Sequence, residues 1–427
     1  MKMKTALISI VVCIIPISLF SAEYSLQDVF NAALQNSEKI QYSMENLNIA
    51  RIGKSKSLSV LIPRIVGYGT YVEYSKRQYD DYGYLTQPDS AGQWGIRADE
   101  TLSLGLREFT ALSMADTGIK KSSLDLDNTK EEFLLQVARA YFDTLKAEKQ
   151  VEIARANLER LNKYKDMAEK RLKVGEITKT VLLRAQGELS GAQSDMVNAE
   201  NAVNLIRAVL VRLTGIETDF KIKDQPVQDK ELEGLQVLKD SAYENRSDLK
   251  SLEYMKKLAL QQKSYAIGSY FPNITLSALY QRTDQSPGDI NKVPETASIA
   301  AGFNFPLFVG GYRKADVDEA KAKYRQAELL YEDLKKNVSV EVETAWLEVN
   351  TQKQVIVFLT DQVSFARNNF FSITRQFEMG LASSIDVLDA NTLLLTSERK
   401  LANELYALQI AQLRLKRSTG TLLRDSN

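Results

Sequence analysis

The sequence predicts a mainly α fold with a smaller transmembrane β part, built from long antiparallel coiled-coil helical hairpins and four strands per chain. Three observations carry this. The chain is written twice: Ala33 to Asn36 (Ala-Leu-Gln-Asn) returns 209 positions later as Ala242 to Asn245 (Ala-Tyr-Glu-Asn), and Pro63 before Ile65 returns at the same spacing as Pro272 before Ile274. Val174-Gly175 returns as Met379-Gly380, an offset of 205 that Ala185 and Ala390 share. Long stretches hold a 3.5-residue apolar period, and four short segments alternate with a period of two.

Composition sets the outer bounds. Of 427 residues, 44% are apolar and 26% charged, as in ordinary folded chains and unlike disordered ones. The 55 basic and 55 acidic side chains cancel, so no nucleic-acid partner is indicated. Only 8 prolines and 20 glycines interrupt the chain, too few for a loop-rich fold.

Residues 1 to 22 read as a signal peptide. Lys2 and Lys4 precede an apolar run from Ala6 to Phe20, which ends at the small residues Ser21 and Ala22. A retained anchor is the other reading, but the run is short for a bilayer span and contains Pro16. Cys13, the one cysteine, lies within it, so the exported chain would have none, which suits an oxidising compartment.

The first structural repeat spans 23 to 216. After a helical stretch and Pro63, strands are expected at about 64 to 75 and 96 to 108. Val66, Tyr68, Thr70, Val72 and Tyr74 are expected to form the apolar face of the first, and Leu102, Leu104 and Leu106 that of the second. The intervening Ser75 to Gly95 is expected as a loop, with Tyr79, Tyr82, Tyr84 and Trp94 among charges. Clustered tyrosine and tryptophan beside alternating strands suit a membrane interface, where the ring is apolar and its tip is wet; the edge of a soluble sandwich is the other reading. A long helical hairpin follows, with its tip near 175. Its seam runs Val137, Ala140, Thr144, Ala147, Val151, Ala154, Leu158, Leu161, then Ala168 and Leu172, interrupted once at Lys165. Beyond Gly175 the seam resumes from Ala185 to Leu213, a period that winds helices into a left-handed coil.

Residues 217 to 234, charged and broken by Pro226, read as a linker. The second repeat, 235 to 427, follows the same order, with strands at about 273 to 282 and 299 to 308. Ile274, Leu276, Ala278 and Tyr280 face one way, as do Ile299, Ala301, Phe303, Phe305 and Leu307. A helix from near Ala320 to the second tip near Gly380 would measure on the order of 90 Å at 1.5 Å per residue. Four strands cannot close a membrane barrel, and an open edge in lipid leaves backbone groups unpaired at several kcal/mol each, so copies of the chain must share one barrel.

The ordered motifs resemble those of the TolC-like outer membrane efflux proteins: Ala33 to Ser37, Ala242 to Leu249, Pro63 and Pro272, the strand exit from Phe305 to Gly311, and Gly380 to Ala390 (Gly-Leu-Ala-Ser-Ser-Ile-Asp-Val-Leu-Asp-Ala). The resemblance covers essentially the whole exported chain. It implies a homotrimer whose 12-stranded β-barrel in the outer membrane lipid is continuous with an α-helical barrel, and an outer membrane location with a long periplasmic extension. It further implies a passive channel for a tripartite efflux pump or type I secretion system, with a periplasmic adaptor and an inner membrane transporter of RND, ABC or MFS type as partners. Segment 217 to 234 would then join the equatorial belt.

Asp386 and Asp389, three apart on a helix, share a face. By the resemblance they ring the periplasmic gate, where six carboxylates would repel, raise one another's pKa and attract cations. Favouring a helix N-terminus is the other reading of both acids. Gly175 and Gly380 are expected to close helices at positive φ, with Thr178 and Ser383 opening the next ones. The resemblance makes Leu172, Gly175, Thr178, Phe377, Gly380, Leu381 and Ser383 candidate adaptor contacts. The first tip departs from the pattern, since Val181 stands where Asp386 stands in the second.

No histidine, no cysteine beyond the signal, no nucleophile elbow and no phosphate-cradling loop occur, so neither enzyme chemistry nor a cofactor or metal is expected. A periplasmic coiled-coil adaptor or scaffold without a pore is the rival to the channel.

Overall fold

A computed structural model describes residues 22–224, 232–288 and 293–425. The predicted signal therefore lies outside the described residues except for Ala22, as do 225–231 of the expected linker. In chain order the elements are β1 (Ala22–Tyr24), α1 (Leu26–Asn36), α2 (Glu38–Ser59), β2 (Arg64–Glu73), β3 (Gln78–Tyr79), β4 (Leu85–Gln87), β5 (Ser90–Ser103), α3 (Arg107–Lys173) and α4 (Lys179–Thr214). The second half supplies β6 (Phe220–Ile222), α5 (Leu235–Asn245), α6 (Ser247–Gly268), β7 (Asn273–Ser286), β8 (Glu295–Asn304), α7 (Tyr312–Glu378), α8 (Ser384–Ser418) and α9 (Leu422–Asp425). The fold is mainly helical, and α3 and α7 are each 67 residues long.

Two compact units emerge, and each draws segments from both sequence copies: Met1–Asn36, Gln136–Asp229 and Val355–Ile410 in one, Ser37–Leu135, Lys230–Gln354 and Ala411–Asn427 in the other.

The second unit contains a four-stranded antiparallel sheet in the order β2-β5-β7-β8. Directly paired residues share a face, so register assigns sides. Ile65, Gly67, Gly69 and Tyr71 pair with Ala98, Ile96, Trp94 and Gly92. The same face continues through Ala278 opposite Ile299 and Ile274 opposite Phe303. The other face holds Arg97, Gln93, Gln281, Thr283 and Thr296. Val66 is paired with Arg97 and Thr70 with Gln93, so the face expected to be the apolar one of β2 is the polar one. Tyr68 misleads when read alone, because its ring is apolar while its hydroxyl donates to Gln281 Oε1 at 3.1 Å. Gly95 leaves room for it; a Cβ there would stand 2.9 Å from the Tyr68 hydroxyl.

Strand limits also move. The strand expected at 96 to 108 is Ser90–Ser103, which takes Trp94 out of the expected loop and sets it opposite Gly69. Leu104 and Leu106 lie past its end. Leu106 turns to φ +53, and Gly105 packs so closely on Gly268 that a Cβ there would clash with the Gly268 carbonyl. β8 stops at Asn304, leaving Phe305 and Leu307 outside it. Small polar residues such as Ser90 and Gly92 extend the strands by backbone pairing alone, which a reading of apolar alternation passes over.

In the same unit Arg246, 3% exposed, donates to Asp248 at 2.6 Å and to Glu341 at 2.7 Å, while Arg417 donates to Glu341 at 2.7 Å. This knot ties α6, α7 and α8 together. In the other unit, β1 pairs in parallel with β6, so part of the expected linker is strand. The buried Tyr141 holds that pair by donating to the Lys223 carbonyl at 2.6 Å.

Candidate functional site

The ends of the two hairpins lie in one unit and share a core of Leu161, Tyr164, Ala168, Ala185, Phe377 and Val387. The interruption at Lys165 is resolved here: Tyr164 fills the seam between Leu161 and Ala168, and Lys165 turns out to pair with Glu169 at 2.9 Å.

Both turns have the same backbone. Gly175 and Gly380 each sit at φ +78, a region that costs a side chain about 1–2 kcal/mol. Gly175 N–H donates to the Leu172 carbonyl and Glu176 N–H to that of Arg171, both at 3.0 Å. Gly380 N–H donates to Phe377 at 3.0 Å and Leu381 N–H to Gln376 at 2.8 Å. This two-bond closure satisfies the last carbonyls of α3 and α7.

The helices that follow open differently. Thr178 precedes α4 without a side-chain cap bond. Ser383 precedes α8 and forms a reciprocal pair with Asp386: Ser383 N–H and hydroxyl donate to Asp386 Oδ2 at 2.8 and 2.7 Å, and Asp386 N–H donates to the Ser383 hydroxyl at 3.3 Å. That is a capping box. The Ser383 hydroxyl, then its N–H, holds the Asp386 carboxyl below its ordinary range. Asp386 and Asp389 are both exposed, one helical turn apart, with Val387 and Leu388 between them buried.

Arg171, which sequence reasoning missed, joins the two tips. It donates to the Phe377 carbonyl at 2.6 Å and to Glu176 Oε2 at 2.8 Å, and lies 4.7 Å from the centre of the Phe377 ring. A cation on the carbonyl end of α7 also opposes the helix dipole. Phe377, expected at the docking surface, is 2% exposed and packs on Tyr164 at 5.5 Å, so its side chain belongs to the core. Leu172 is half-buried, whereas Val174, Met379 and Leu381 are 70%, 66% and 75% exposed. Higher in this unit, Asn391 donates to Asn157 at 2.9 Å and accepts from Arg160 at 3.0 Å. A buried amide pair 234 positions apart has no local sequence signal.

Comparison with known proteins gives the same architecture. A family model described as outer membrane efflux protein matches residues 29–216 and 238–421. The outer membrane protein TolC of Escherichia coli (strain K12) is 23% identical over 427 residues, covering 95% of this chain and 84% of its own length. The alkaline protease secretion protein AprF of Pseudomonas aeruginosa is 22% identical over 413 residues, covering 93% and 84%. The crystal structure of the outer membrane protein VceC from Vibrio cholerae superimposes with a TM-score of 0.80 at 20% identity, covering 92% of this chain and 96% of that one. These likenesses do not support the poreless adaptor or scaffold. With two matched blocks, two copies of one hairpin design and an amphipathic sheet, the chain belongs to the outer membrane efflux protein family.

Proposed function

We propose that three copies of this chain close their sheets edge to edge into one 12-stranded barrel, continuous with a tunnel of helices through the periplasm. The protein acts in the outer membrane as a passive conduit, not an enzyme, in efflux or type I secretion. The observation that carries the trimer is the sheet itself: one apolar face, one polar face, and edge strands β2 and β8 with no partner on their outer sides among the described residues. In hydrocarbon those edges must pair, and cyclic association joins β2 of each copy to β8 of the next. The polar face then lines the lumen.

The tips are the docking end. Gly175, Gly380, Thr178, Ser383 and the exposed Leu381, with Leu172 at their edge, meet a periplasmic adaptor that couples the conduit to an inner membrane transporter. Asp386 and Asp389, repeated by symmetry, form a cation-attracting ring at the mouth.

Reconstitution into planar lipid tests the reading. Stepwise conductance is expected, with cation preference and block by multivalent cations that fall in the variant D386N/D389N. A monomer without conductance would overturn the conduit; unchanged ion selectivity in the double variant would remove the ring alone.

A further inference from the structure

Between α3 and α6 lies a groove of about 600 Å³ whose lining includes Lys120, Leu124, Lys250, Glu253, Tyr254 and Lys257. Lys250, Tyr254 and Lys257 recur at helical spacing on one face of α6, and Lys120 and Leu124 do so on α3. None of these three lysine ammonium groups has an ion-pair or hydrogen-bond partner among the described residues. Their neighbours do: Lys121 pairs with Asp125 at 2.8 Å, Lys256 with Glu328 at 3.3 Å and Lys54 with Asp116 at 2.8 Å. With Glu253 as the one carboxylate in the lining, the groove is left with an excess of positive charge.

The duplication supplies an internal control. The positions 209 residues upstream on α2 are Gln41, Met44, Glu45 and Asn48, with no lysine among them. The residue 205 downstream of Lys120 is Arg325, and it is paired with Glu328 at 2.6 Å. The helix scaffold therefore folds in the other copy without unpaired cations at these places. Lys120 and Lys257 are exposed and Lys250 half-buried, and like charges gathered without partners attract a counter-charge.

We propose that this groove binds a small organic anion carrying two acidic groups on an apolar body. Lys250 and Lys257 are seven residues apart, about 10 Å along the helix axis, which sets the spacing of the acidic groups. Leu124 and Tyr254 take the body between them, and Lys120 faces it from α3. The volume falls within the usual range for small-molecule sites, roughly 300–1,000 Å³. This site does not depend on the conduit reading.

Isothermal titration of the full chain in detergent with decanedioate, against a detergent blank, tests it. Saturable binding of one molecule per chain is expected, weakened at least about tenfold in K250Q/K257Q and by roughly 0.5 M salt, and absent for neutral decanediol. K54Q, outside the groove, should bind as wild type does. No saturable binding, wild-type affinity in the double variant, or equal weakening in K54Q would each overturn the proposal. If the double variant melts early by circular dichroism, K120Q and K257Q taken singly decide. Weakening of about threefold in each supports the site, and wild-type affinity in both overturns it.

Discussion

The two hairpin tips share one backbone and differ in how each restarts its helix. Both close with glycine at φ +78 and the same pair of hydrogen bonds. At the matching position, however, the first tip places Val181 and the second Asp386. Val181 packs against the buried cluster, whereas Asp386 is exposed and completes the capping box with Ser383. Duplication kept the turn, whose geometry tolerates little change, and let the cap diverge. The acid at the second tip thus has a local structural job before any role at a gate, and the first tip replaces that job with packing.

Four experiments would break or sharpen this comparison. The largest effect is expected from valine at the turns, because a β-branched residue is strained at positive φ. Gly175→Val and Gly380→Val should each destabilise their hairpin by about 2 kcal/mol, seen as faster amide exchange around the tip. A clear difference between the two would mean that the tips are not equivalent in backbone energy. Next comes the cap. Ser383→Ala should cost about 1 kcal/mol in the first turn of α8, while Thr178→Ala, which removes no cap bond, should cost only a few tenths in α4. Equal losses would contradict the asymmetry.

Val181→Asp is smaller still. It offers Thr178 a partner for a capping box but removes a half-buried apolar contact worth about 1 kcal/mol, so a small net destabilisation is expected on thermal melting. A marked gain would show that packing at Val181 is dispensable. The pH effect is the smallest. Because Ser383 lowers the folded-state pKa of Asp386, its stabilisation is present above the ordinary carboxylate range and is lost as pH falls through the folded value. Exchange in the first turn of α8, corrected for its intrinsic rate, should therefore rise below pH about 4 in the wild type and not in D386N. The first turn of α4 should show no such rise in either protein.

Much of the fold was legible because its signals are local and repeated. Gly175 and Gly380 stand where a helix stops, and the seam from Val137 to Leu161 is visible as a period. Other features depend on partners distant in sequence. The polar side of β2 could not be assigned from Val66 and Tyr68 until Arg97 and Gln93 were found opposite Val66 and Thr70. Tyr164 belongs to the seam although Lys165 occupies the place the period marks, since the aromatic side chain fills the space beside Phe377. Arg171 reads as one more charge at a helix end until its distance to the Phe377 carbonyl, 206 positions away, is known.

By itself the sequence determined the duplication, the helical hairpins with their glycine turns, the presence of the four strands β2, β5, β7 and β8 of the larger sheet, though not the short β1, β3, β4 and β6, and the placing of Asp386 and Asp389 on one helical face, since all of these follow from spacing along the chain. Only the tertiary structure decided the register of the sheet and hence which side is polar, the burial of Phe377, and the clasp of Arg171 between the tips. Each of those depends on which distant segments meet, and neither period nor composition carries that information.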